Sequence, residues 1–218
     1  GDPTNGDAFD ELGDVWYMTF SVPTQTKRVV MEILETTAGD LDLFFGLGTV
    51  PSVDTLEASS ATAAALEYLS FVDVPKGDYW VLVQNWGGGE TPDDITLALG
   101  IVRGVGLANF EVDGPKSVTA LDPFDLEIAW DIPEMEPLSA WYGWFSLGSD
   151  PANPGNIGQT ELNVYRPYDD VTKAAEDNLE YGSEALTYTI TIAPNETGAD
   201  LDYVIHDVLP EDVTYVDG

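Results

Sequence analysis

Oxygen donors are the reactive groups that this chain holds in quantity. Its 218 residues include 40 Asp and Glu against seven Lys and Arg, one His and no Cys, for a formal net charge of -33. Calcium suits such a set, because it takes roughly six to eight hard oxygen ligands from carboxylates, carbonyls and water. In Gly39-Asp40-Leu41-Asp42-Leu43, an extended backbone would turn Asp40 and Asp42 to the same side and offer two carboxylates to one ion. Asp7 and Asp10, in the turn-rich opening GDPTNGDAFDE, are the other candidates. The EF-hand spacing is absent. Calcium is thus the one expected cofactor, with Asp7, Asp10, Asp40 and Asp42 as its ligands. The competing reading makes the same acids turn caps or solvated charges.

Nucleophilic catalysis has little to work with. A serine triad needs a histidine between the nucleophile and an orienting acid. The sole histidine, His206, lies in an apparent strand, and no Ser occupies a G-x-S-x-G turn. Without Cys, neither thiolate chemistry nor disulfides can operate. Glycoside hydrolysis needs a protonated and an ionised acid facing each other across a cleft, and no cleft-forming pattern accompanies the acids. The chain is therefore expected not to be an enzyme.

Aromatic side chains suggest binding instead. Trp80, Trp86, Trp130, Trp141, Tyr142 and Trp144 could fill cores or present flat faces to sugars and polypeptide. Trp141 and Tyr142 are adjacent, so a strand would send them to opposite sides. Trp86 precedes Gly87-Gly88-Gly89 at an expected loop tip and is the best candidate for exposure. Trp86, Trp141 and Trp144 are the candidate ligand-binding residues.

The elements that must position these residues read as strands. In DVWYMTFSV, Trp16, Met18, Phe20 and Val22 alternate with Tyr17, Thr19 and Ser21, the period of a half-buried strand. KRVVMEILE, LDLFFGL, LEYLSFVDV, DYWVLVQNW and DITLALGIV follow, separated by Gly39-Asp40, Pro75-Lys76-Gly77-Asp78 and the Gly87–Gly89 run. LEASSATAAAL, over 56–66, is expected as a short helix or a long loop. FEVDGP, PFDLEIAWDIP, AWYGWFSLG and TELNVYR continue the series, with a turn-rich Asp150–Gly158 stretch before the last. LTYTITIAP and DLDYVIHDVLP follow, and VTYV begins another strand before Gly218.

The fold class expected is all-β, as tandem antiparallel sandwich modules at 1–104, 105–168 and 169–218. The acids run through all three, so their charge belongs to folded surfaces that salt or bound cations would relieve. The same field excludes nucleic acid and anionic lipid as partners. No apolar run is long enough to span a bilayer, so membrane insertion is not expected. Beginning at Gly1 without an initiator Met, the chain reads as a fragment.

Three successive stretches resemble known modules. GDLDLF at Gly39–Phe44, followed by VPKGDYWVLV at Val74–Val83, resembles the bacterial pre-peptidase C-terminal domain. WYGWFSLGSDPANPGNIG with ELNVYR is similar to the fibronectin type III-like or immunoglobulin-like modules that follow it in secreted subtilisin-like proteases. DDVTKAAEDNLEYGSEALTYTITIAPN, ending in DVLPEDVTYVDG, resembles the start of an adhesin-like repeat. The resemblance implies a jelly-roll-like first module, an immunoglobulin-like second and an incomplete third. It also implies calcium at Asp7 and Asp10, secretion, and a monomeric accessory region of a serine protease. Such a region would bind the enzyme's insoluble protein substrate or another extracellular polymer, or support folding and export. The alternative is a cell-surface adhesion or carbohydrate-binding module.

Overall fold

The computed structural model describes residues 6–86, 92–166, 171–175 and 187–193. The chain divides into two compact units, Gly1–Tyr168 and Asp169–Gly218. Thirteen strands and a single 3-10 turn make up the regular structure of the described residues, with no α-helix among them. The all-β expectation holds.

Two antiparallel sheets form a sandwich in the first unit. One has the order β1 (Trp16–Val22), β6 (Gly77–Asn85), β3 (Leu41–Leu47), β4 (Leu56–Ser60); the other has β5 (Tyr68–Val72), β2 (Thr26–Thr36), β7 (Ile95–Arg103). Alternation decides what lies between them. Val29, Met31 and Ile33 of β2 face Leu41, Leu43 and Phe45 of β3 and Tyr79, Val81 and Val83 of β6. Phe45 stacks on Tyr79 and Phe71, with centroids 5.2 and 5.0 Å apart, which ties both sheets through one aromatic column.

The outer face of the four-stranded sheet is also covered. Trp80 and Leu82 point away from the main core and pack with Ala8, Phe9, Leu12 and Val15 of the lead-in, and with Phe44 and Leu56. The lead-in thus supplies apolar cover as well as acids. Segment 56–66 differs from its expectation: Leu56–Ser60 forms β4 on the edge of β3, with a register irregularity at Phe45/Gly46. Leu56, Ala58 and Ser60 alternate with the more exposed Glu57 and Ser59, and pairing with β3 outweighs the weak helical propensity of Ala and Ser.

The segments expected as separate modules at 1–104 and 105–168 lie in one compact unit. After β7, β8 (Phe110–Asp113) pairs with β9 (Glu127–Trp130), and β10 (Ser139–Leu147) pairs with β11 (Gly158–Arg166). The two ribbons meet where Phe110 contacts Phe145, centroids 6.3 Å apart. Asp150 braces the turn between β10 and β11: its carboxylate accepts from Asn153 Nδ2, Ser149 Oγ and Ala152 N, and these bonds, that of Asn153 first, hold it below the usual carboxylate range.

In the second unit, β12 (Val171–Ala175) pairs with β13 (Tyr188–Ile192), and Lys173 lies 4.3 Å from the centre of the Tyr188 ring. His206, DLDYVIHDVLP and VTYV lie outside the described residues.

Candidate functional site

The metal candidates separate into two places. Asp7 closes a turn, its Oδ1 accepting from Phe9 N at 2.9 Å, and both Asp7 and Asp10 are exposed. Asp40 and Asp42 stand at the start of β3, where Oδ1 of Asp40 is buried without a hydrogen-bond partner. Burial pushes the Asp42 carboxyl up to about 6, and the charges of Asp40 and Glu67 add to the shift. Glu67 is itself buried, accepting from Ser60 Oγ, Thr62 N and Thr62 Oγ1. Among the described residues, no three Asp, Glu or His side chains converge to hold a metal ion.

A raised carboxyl pKa means that the folded state favours the protonated acid. Stability from this position is therefore fully present below about pH 4 and is lost as pH rises through about 6. Asp42→Asn is expected to raise stability above pH 6 by roughly 1 kcal/mol after solvent screening, with no gain at pH 4. Thermal melts at the two pH values should differ by about 2–4 °C in the variant's advantage. An equal gain at both would exclude ionisation as its cause.

The outer face of the three-stranded sheet carries a different kind of site. Arg28, Val30 and Glu32 of β2 point outward there, beside Tyr68 and Ser70 of β5 and Gly100 of β7. On the β10–β11 ribbon, Tyr142, Trp144, Glu161, Asn163 and Tyr165 share the face turned toward this sheet. Arg28 is 1% exposed, and Oε2 of Glu161 lies 2.9 Å from its Nε. Its guanidinium also donates to Ser70 Oγ, Tyr68 Oη, Asn163 Oδ1 and the carbonyls of Gly143 and Leu162. Glu32 accepts from Tyr142 and Tyr165, and burial together with this carboxylate pushes both phenol pKa values up, keeping them proton donors. Gly100 is required at its position because a Cβ there would run into the Tyr142 ring.

Beside this junction runs a groove of about 710 Å³, between the edge of β7, the connection after it, and the two ribbons. Trp130, Trp141 and Trp144 line it. Among the described residues no Asp or Glu lines the groove, whereas two of the seven cations, Lys27 and Arg103, do. Nζ of Lys27 sits 5.2 Å from the centre of the Trp144 ring and pairs with Asp73 at 2.9 Å. Arg103 is exposed and forms no ion pair among the described residues. Nε1 of Trp144 is buried with no hydrogen-bond partner there, an arrangement that costs free energy until an acceptor arrives.

Two of the three tryptophans expected to bind, Trp141 and Trp144, therefore line one groove. Trp86 is 45% exposed, as its place beside the glycine run suggested, but it lies outside the groove lining. Trp80 is fully buried and donates to Thr55 Oγ1 at 3.1 Å. Trp130, named with the other aromatics, lines the groove beside Trp141 and Trp144, whereas Lys27 and Arg103 were not singled out by sequence. Nothing in their local pattern marks them, because tertiary packing alone brings them together. No protein-family model matches the chain, and neither a curated protein nor a solved structure shows significant similarity to it.

Proposed function

We propose that this chain is a non-catalytic binding region of a secreted subtilisin-like protease, and that it holds the enzyme near insoluble protein substrate through the aromatic groove. The observation that carries the reading is that, among the described residues, no acid lines a groove bordered by Trp130, Trp141 and Trp144, in a chain of net charge -33. An apolar, acid-free surface suits polypeptide, since exposed apolar area rimmed by polar surface is the common mark of a protein-binding site. Carbohydrate is less well supported as a ligand. Its hydroxyls need acceptor and amide side chains around the aromatic face, and Asn109 is the lone carboxamide of the lining. Support for folding and export remains the other role consistent with the protease context.

Retention on particulate protein tests this reading. The purified chain is expected to co-sediment with collagen or casein aggregates, and Trp141→Ala is expected to release most of it while the Trp86→Ala control stays bound. If the parent chain stays in the supernatant, targeting gives way to the folding or export role.

Calcium belongs to the same reading, with Asp40 and Asp42 as the better-placed pair. A bound ion would favour the ionised Asp42 and oppose the effect of burial. Millimolar calcium against chelator at pH 8 should then raise the melting midpoint, and Asp42→Asn should abolish that rise. Identical midpoints with and without the ion would falsify a structural calcium site.

A further inference from the structure

We propose that the groove takes an extended polypeptide segment as an added strand along the free edge of β7, with an acidic group on that segment meeting Arg103. This deepens the protein-binding reading and rests on it. β7 is an outer strand, in the order β5-β2-β7, so alternate residues of Ile95–Arg103 turn N–H and C=O groups toward no neighbouring strand. Such an edge is a template for pairing with another chain. The sequence of β7, ITLALGIVR, has no Pro and no charge before Arg103, so it lacks the proline and charged side chains that often blunt an exposed edge, and its pairing with β2 is regular from Arg28 to Ile33.

The groove lies along this edge. Leu99, Gly100, Ile101, Val102 and Arg103 line it consecutively. Successive residues of a strand point to opposite faces, so an unbroken run borders one space only where that space faces the strand edge-on. An added strand would lay one face of side chains against Trp144, which shares the ribbon face turned toward this sheet, while Trp141 lines the groove from the ribbon's other face.

Two further features describe the occupant. The buried Trp144 Nε1 has no acceptor among the described residues, and a main-chain carbonyl of an added strand supplies one. Charge defines the rest: among the described residues Arg103 has no acidic partner and no acid lines the groove, and the chain as a whole carries the net negative charge. A cation in that setting selects an acidic side chain or a terminal carboxylate, while a basic segment would be drawn to the acidic surface elsewhere. The occupant is therefore an extended, largely apolar segment with a carboxylate at one end.

The full chain is titrated into a fluorescently labelled peptide of alternating valine and threonine that ends in aspartate, and anisotropy is read. A second peptide of the same sequence carries N-methyl groups on alternate amides, which removes one edge of main-chain donors and leaves the side chains. The unmodified peptide is expected to bind at least about tenfold more tightly than the methylated one. Hydrogen exchange should slow at alternate amides of β7 on binding. Arg103→Glu should weaken binding about tenfold at low salt and less at high salt. Trp144→Phe, which keeps a ring but loses the N–H, should weaken it several-fold.

Equal binding of the two peptides overturns strand addition and leaves the groove as a polypeptide site. Binding of neither, at millimolar concentration, also overturns strand addition. Retention on particulate protein, and its response to Trp141→Ala, then decides separately whether the protein-binding function stands.

Discussion

Replacing Arg28 by Ala is expected to destabilise the first unit by about 3–5 kcal/mol, because the buried guanidinium is the donor to several acceptors and each one left without it costs about 1 kcal/mol; the pair with the half-exposed Glu161 adds little. In a unit of this size that corresponds to a fall of roughly 10 °C in melting midpoint. The size of the effect follows from the number of groups that one guanidinium satisfies. It reaches Ser70 and Tyr68 on β5, two carbonyls and Asn163 on the β10–β11 ribbon, and the Glu161 carboxylate. Truncation would leave Tyr68, Asn163 and the carbonyls of Gly143 and Leu162 without this donor. The ribbon would lose its grip on the three-stranded sheet, and one wall of the groove would go with it. Peptide binding should therefore fall together with stability. Arg28→Lys should recover only part of either, because an ammonium is a point donor and cannot reproduce the planar fork that reaches several acceptors at once. A midpoint unchanged in Arg28→Ala would show that the network does not hold the ribbon.

Trp80→Ala is the second substitution with a large expected effect, again about 3–5 kcal/mol, from lost transfer free energy and the cavity left behind. Trp80 fills the space between the four-stranded sheet and the lead-in, 5.9 Å from the Phe9 ring and in edge contact with it. Without the indole, Ala8, Phe9, Leu12 and Val15 lose the surface against which they pack. Amides around these residues should then exchange faster than those of β2. Gly46 is matched to the same indole, since a Cβ there would enter the Trp80 ring and press on the Thr55 carbonyl. Trp86→Ala provides the contrast: it removes a half-exposed side chain and should change stability by no more than about 0.5 kcal/mol. Chemical denaturation of the two variants side by side checks both values. A Trp80→Ala variant as stable as the parent would show that the lead-in is not held by this cluster.

Much of the strand pattern was legible because alternation is local. Met18, Phe20 and Val22 turn inward from β1 as their spacing predicts, and Val29, Met31 and Ile33 do so from β2. The placement of Asp40 and Asp42 was legible for the same reason, because Leu41 and Leu43 take the alternate, core-facing positions. β4 was not legible. LEASS lacks the β-branched and aromatic residues that mark strands, and its pairing with β3, ten or more residues earlier in sequence, is what makes it one. Trp80 and Trp86 belong to one stretch of sequence, yet one is a core residue and the other is half exposed. Strand parity places Trp80 on the outer face of its sheet, and only the lead-in folding over that face buries it.

The amino-acid sequence by itself determined that this protein is all-β, strongly acidic and built from alternating strands, because composition and period-2 patterning act within a few residues of one another. Tertiary structure alone decided that segments 1–104 and 105–166 share one compact unit, that Arg28 lies buried in a polar junction, and that no acid among the described residues lines the groove. Each of these depends on side chains far apart in sequence meeting across a sheet, such as Arg28 with Glu161 or Glu32 with Tyr142. Local pattern states which face a residue takes. It does not state what will cover that face.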